Sequence, residues 1–210
     1  MAGGARGLIA LFPKSHYPII LYNIFKEGKT LKKRESNEFE NRLTRRLCIS
    51  LKQNPVFRDG PLSIHSQQEI LSSDPDDDFP IGYIDILISC EYGSEVYFAI
   101  EAKRLRVRSV SGKMDSGNAD YVNEGMMRFV TGQYAPYMNA GAMLGYVFDG
   151  DTAKARSGVS GYIQRKAKTL KLMPPEKLVK SSILPDHPVD ETKHCLGTRT
   201  FVIYHMFIPV

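Results

Sequence analysis

Residues 36–51, SNEFENRLTRRLCISL, repeat an apolar side chain every fourth position at Phe39, Leu43, Leu47 and Leu51. That is the pattern of a helix with one buried stripe. On this projection Glu40 falls inside the stripe, between Leu47 and Leu51, and Glu38 points away. Asn54-Pro55 ends the helix, because the residue before a proline disfavours helical backbone. A polar stretch rich in Asp, Pro and Ser follows, including Asp74-Pro75-Asp76-Asp77-Asp78. Two strand-like runs come next, Gly82 to Ser89 and Val96 to Lys103, joined by CEYGSE. Their spacing predicts an antiparallel hairpin turning about Gly93.

The Gly/Ser/Asp-rich residues 109–118 read as a mobile loop. Residues 120–134, DYVNEGMMRFVTGQY, place Val122, Met126, Phe129 and Val130 on one helical face. Tyr121, Gly125, Arg128 and Gly132 share another, where the small residues would let Tyr121 and Arg128 stand clear over a substrate. AMLGYVF (142–148) reads as a buried strand, 161–172 as a basic amphipathic helix and TFVIYHMFI (200–208) as a closing strand. The order suggests a mixed sheet covered by helices.

The chain has 210 residues, 42% hydrophobic and 24% charged, enough for one domain with a sizeable core. We read residues 1–35 as an N-terminal extension, 36–148 as the core, and 149–210 as the basic helix with the closing strand. No run approaches a membrane span, and Leu8 to Phe12, broken by Pro13 and Lys14, is too short for a signal peptide. The expectation is a cytoplasmic protein without a membrane partner. Cys48, Cys90 and Cys195 stand far apart, against a disulfide framework or a structural zinc site.

Charge changes the picture more through its distribution than through its net value of +5. Between Ala153 and Lys180 eight basic residues, Arg165 and Lys166 among them, face one acid, Glu176. A second basic cluster runs from Lys26 to Arg34, and a third, KRLRVR (103–108), continues the second hairpin strand. Each alone is an ordinary solvated face; together they suit a phosphate backbone.

The chemistry centres on VYFAIEAK (96–103). Alternate strand residues share a face, so Glu101 and Lys103 project together while Phe98, Ile100 and Ala102 line the other. A turn about Gly93 sets Asp85 opposite Glu101, with Cβ atoms roughly 5 Å apart. Two carboxylates that close repel one another unless they share a proton or a cation. Oxygen ligands of this kind suit Mg²⁺ or Mn²⁺. The alternative is a plain ion pair, with Lys103 neutralising Glu101 and Asp85 capping a turn.

Asp85 followed by Glu101-Ala102-Lys103, on neighbouring strands after a Glu-bearing helix, resembles the PD-(D/E)XK nuclease superfamily. The resemblance covers Ser36 to Phe148 in element order and only a few positions at residue level; Ile84 stands where the motif's proline would. Pro75-Asp76 is a literal match to the motif's first two letters, set in an acidic loop, and is read as a decoy. The resemblance implies a restriction-endonuclease-like α/β/α sandwich with a central mixed β-sheet flanked by helices. It implies metal-dependent cleavage of phosphodiester bonds, DNA as substrate, and service in restriction or phage defence.

Asp85 and Glu101 would then bind the metal, with the backbone carbonyl of Ala102 as a further ligand, and Lys103 would assist the attacking water or the transition state. Glu40 matches the helix glutamate of some branches, or else occupies a partly exposed edge. Arg104, Arg106, Arg108, Tyr121, Arg128, Gln133, Arg165 and Lys166 are the candidate nucleic-acid contacts. A non-catalytic DNA-binding or assembly subunit stays open as the rival, and both a homodimer and an accessory subunit are compatible with the chain.

Overall fold

The computed structural model describes residues 12–72, 74, 76–90 and 96–210. Most of Leu8 to Phe12, Pro75 of the Pro75-Asp76 pair and the turn about Gly93 lie outside the described residues. The chain forms α1 (His16–Gly28), α2 (Glu40–Gln53), a short α3 (Pro55–Arg58), β1 (Ser63–Ile70), β2 (Gly82–Ser89) and β3 (Tyr97–Leu105). Then follow β4 (Val107–Arg108), β5 (Met114–Asp115), a π-helix (Asp120–Met126) running into α4 (Met127–Val130), and β6 (Ala140–Val147). The remainder is α5 (Thr152–Arg165), β7 (Val179–Lys180), β8 (Val189–Leu196) and β9 (Arg199–Pro209).

Seven strands make one mixed sheet in the order β1-β2-β3-β6-β9-β8-β7, and β4 and β5 form a separate two-stranded ribbon. The β3–β6 and β6–β9 pairings are parallel and the others antiparallel. Every residue of β6 is buried, which explains its unbroken apolar sequence: a central parallel strand has no wet face. Helices cover both sides. Tyr17 of α1 packs on Phe98 and Tyr204, and Thr44 of α2 bonds Tyr146, all from one face. Tyr121 of the π-helix stacks on Phe207 from the other.

The hairpin register agrees with a turn about Gly93: Ile86 pairs with Ile100, Leu87 with Ala99, Ile88 with Phe98 and Ser89 with Tyr97. Residues 16–28, within the stretch expected as an extension, supply Ile20, Leu21 and Ile24 to the common core. Lys33, from the second basic cluster, donates to the carbonyls of Phe148 and Val210 at 2.6 Å each, tying the ends of β6 and β9.

Three elements differ from expectation. The basic helix lies at 152–165 rather than 161–172, started by the Asp151 side chain, which accepts from Lys154 N. Of residues 109–118, expected as a mobile loop, Met114–Asp115 form β5, which pairs with β4, and Ser109 N donates to the carbonyl of Lys113 in the turn between them. The helix expected from residue 36 begins at Glu40, so Phe39 is its cap and is 61% exposed rather than part of the stripe.

Candidate functional site

Asp85 of β2 and Lys103 of β3 line a cleft of about 850 Å³, and Glu101 is buried beside Lys103. Asp85, Glu101 and Lys103 are each less than one-tenth exposed. Asp85 Oδ2 accepts from the backbone N–H of Ala102 and Oδ1 from Gln67 Nε2, both at 2.8 Å. Asp85 is thus locked by the neighbouring strand on one side and by β1 on the other; it caps no turn. Lys103 Nζ donates to Glu101 Oε1 at 2.6 Å and stands 3.6 Å from Glu40 Oε1. The second oxygen of Glu101, Oε2, is buried without a hydrogen-bond partner.

Burial, and then the charge of Asp85, push Glu101 from its ordinary 4.5 up to about 8, against the pull of Lys103 and Arg128. Burial likewise raises Glu40, opposed by Lys103 and reinforced by Asp85. Burial works against the Lys103 ammonium, but Glu101 and Glu40 outweigh it and hold its pKa above the ordinary lysine value. The ion pair allowed as an alternative is therefore present, yet it satisfies only one oxygen of Glu101.

Glu38 sits differently from the helical projection, and Glu40 finds a partner. Glu40, the first residue of α2, turns to the site, where its Oε2 accepts from Arg104 N at 3.2 Å. Glu38 precedes the helix and is 2% exposed. Its oxygens take Arg46 at 2.6 and 3.0 Å and Arg34 N at 2.8 Å. The Arg46 hydrogen bonds hold the Glu38 carboxyl down at about 2. This clamp fixes the loop that delivers Glu40.

Arg128, from α4, reaches Glu101 Oε1 at 3.4 Å and lies over the Tyr134 ring, bonding its hydroxyl. Tyr134 in turn donates to the Tyr83 carbonyl. Arg104 and Arg108 also line the cleft. Arg104 donates to the carbonyls of Asn37 and Glu38 at 3.1 and 3.3 Å, and its guanidinium lies over Phe39.

Other candidates are placed elsewhere. Tyr121 is fully buried and hydrogen-bonds His205 Nδ1 at 3.0 Å, so it touches no substrate. The reason is Gly125, where a Cβ would lie 2.3 Å from Met143: the π-helix seats this face against β6 instead of presenting it. Arg106 pairs with Asp149 at 2.6 Å, and Gln133 donates to the Ile81 carbonyl at 2.7 Å. Arg165 lies over Tyr162, and Lys166 caps the end of α5. None of these four lines the cleft.

Gln67 was not legible as a site residue. It lies in β1, where most positions are exposed and periodicity is faint. Its φ of 54° is a left-handed conformation uncommon outside glycine, and it delivers the amide to Asp85. The only sequence hint is a Gln-Gln pair amid polar residues.

Among the described residues, no three His, Cys, Asp or Glu side chains stand grouped as a ready metal cluster. No family model matches the chain, and neither a curated protein nor a solved structure matches it.

Proposed function

We propose that the chain is a metal-dependent nuclease hydrolysing phosphodiester bonds, with DNA as substrate and Asp85, Glu101 and Lys103 at its centre. The observation that carries this reading is the Glu101 carboxylate: among the described residues its Oε2 is buried without a partner, next to Asp85 and Lys103, which line an open cleft. A buried polar atom left unpaired calls for an explanation such as a missing ion. Asp85, Glu101 and the Ala102 carbonyl would supply oxygen donors, the kind that suit Mg²⁺ or Mn²⁺, and Glu40 would have to move in to join them. Such an ion, when bound, supplies a water of lowered pKa and neutralises charge on the phosphate.

The chain's own residues divide the remaining work. Asp85, held by Ala102 N and Gln67, is an oriented ligand with no rotational freedom to lose. Lys103, hydrogen-bonded to Glu101 and lining the cleft, is placed to assist the attacking water or to donate to a phosphate oxygen. Arg128 aims a second cation at the same point, held there by Tyr134. The mixed sheet with helices on both faces supports the resemblance to PD-(D/E)XK nucleases, and a role in restriction or phage defence follows from that resemblance.

The test incubates purified protein with plasmid, linear and single-stranded DNA and with RNA, in Mg²⁺, Mn²⁺ or EDTA, beside Asp85→Ala and Lys103→Ala. Metal-dependent cutting lost in both variants is expected. Cutting that survives both substitutions would overturn the assignment. Salt-sensitive binding without any cutting would favour a non-catalytic DNA-binding subunit.

A further inference from the structure

Beside the main cleft lies a second, of about 540 Å³, and Phe39, Asn41 and Gln67 line both. The two adjoin along these three residues and together make a groove. Their chemistry differs. The main cleft mixes carboxylates with cations, whereas the second carries Arg42 and Arg45 and, among the described residues, no carboxylate. Arg45 makes no ion pair among the described residues. The Arg42 pair with Glu35 spans 3.7 Å between side chains that are 59% and 62% exposed, so it costs little to exchange for a phosphate.

Phe39, on the shared border, is 61% exposed. A large apolar ring left in water is informative when it is also held still. The Arg104 guanidinium lies 5.7 Å from its ring centroid, and Arg104 is itself fastened to the Asn37 and Glu38 carbonyls. The loop beneath is fixed by the buried Glu38–Arg46 pair. The ring is a braced platform between the proposed catalytic site and a basic trough.

We propose that this groove carries an unpaired nucleic-acid strand: one base stacks on Phe39, and the phosphates beyond it run past Arg42 and Arg45. An aromatic platform next to a positive groove is the arrangement that holds single strands, because an unpaired base offers its face whereas a duplex buries it in the stack. The inference rests on the nuclease reading for the position of the cut phosphate. It adds that the substrate is single-stranded, or frayed, where it leaves the carboxylates.

The test measures fluorescence anisotropy of labelled single-stranded DNA, single-stranded RNA and duplex DNA in EDTA, across a salt series. The proteins are the full-length wild type, Phe39→Leu, Phe39→Tyr and the double variant Arg42→Gln/Arg45→Gln. Phe39→Leu should weaken single-strand binding roughly tenfold, leave duplex binding unchanged and keep the salt slope, while Phe39→Tyr restores affinity. The double variant should reduce the slope of log K against log salt by about 1.4, at ~0.7 per phosphate contact.

Single-strand affinity of Phe39→Leu within twofold of wild type overturns the inference, as does equal weakening on duplex or no single-strand binding by the wild type. Parallel cleavage assays separate the two claims. Wild-type cutting with Phe39-independent binding sinks this inference and spares the nuclease reading. Phe39-dependent binding without cutting in any metal does the reverse.

Discussion

Replacing Asp85 with Asn removes a charge and keeps a shape. An asparagine retains the bond from Ala102 N through its own oxygen and turns its amide to Gln67, whose side-chain amide can rotate to present oxygen. The fold therefore survives, at a cost on the order of 1 kcal/mol for each charge-assisted bond made neutral. Against that loss stands Glu101. Its pKa of about 8 exceeds its ordinary 4.5, so the native state keeps a proton that the unfolded chain has released. Stability conferred by that proton is full below about 4.5 and is lost as pH rises to about 8.

Removing the Asp85 charge lowers the Glu101 pKa and ends the decline sooner. Each unit of lowering returns about 1.4 kcal/mol at pH 9. Lys103, with its pKa above the ordinary value, stays charged across this window and adds no slope. For a chain of this length 1 kcal/mol corresponds to about 2–4 °C in Tm. In EDTA, Asp85→Asn should melt below wild type at pH 5, and the gap should close by about 3–6 °C per unit of lowering by pH 9. Differential scanning calorimetry at pH 5, 7 and 9 reads this. A gap constant within one degree would refute the electrostatic coupling of the two carboxylates.

Three further outcomes probe the scaffold. Thr192 bridges His205 Nε2 at 2.9 Å and His194 Nε2 at 2.8 Å, and His194 Nδ1 donates to the Leu170 carbonyl at 2.7 Å. Thr192→Val orphans a buried donor and a buried acceptor, and should cost about 3 kcal/mol, lowering Tm by roughly 9 °C; a change under 2 °C would contradict the network. Burial holds His194 at about 4, below its ordinary 6.5, so stability from its neutral form should fade as pH drops through that window, as an acid melting series reads. Glu38→Ala should cost about 2 kcal/mol at pH 7, a value discounted because Arg46 stays partly exposed. With Glu38 held at about 2, that penalty should shrink as pH falls from 4.5 toward 2, and urea melts showing the same difference at pH 2.5 and 7 would count against the clamp.

The β2–β3 hairpin was legible because its two β-branched and aromatic runs, 82–89 and 96–100, hold only one acid, Asp85, and equal spacing about Gly93 sets the register. β1 was not, because its outward residues carry no apolar alternation; it is an edge strand holding Ile64 in the core and little else. The helical projection drew Glu40 inward, where it meets Arg104 N and Lys103, but misjudged Glu38, since the helix starts two residues later and Glu38 obeys the loop's geometry. Tyr121 and Gly125 do share a face, yet sequence alone does not say whether small residues clear a path for substrate or admit a strand. Here Met143 fills the space. Gly158 and Gly161 inside α5 diluted the helical signal and shifted the expected basic helix toward the lysines that follow it.

The site's central claim is that the Asp85 charge is needed for phosphodiester cleavage and not for folding. Single-turnover cleavage in Mg²⁺, on the best substrate of the panel, compares wild type with Asp85→Asn shown by calorimetry to be folded. The account predicts cutting by the wild type that EDTA abolishes, and a rate for the variant at least about 10³-fold lower, a deficit of roughly 4 kcal/mol in transition-state stabilisation. A folded Asp85→Asn that cuts within tenfold of wild type, or a wild type that cuts no substrate with any divalent metal, would contradict it.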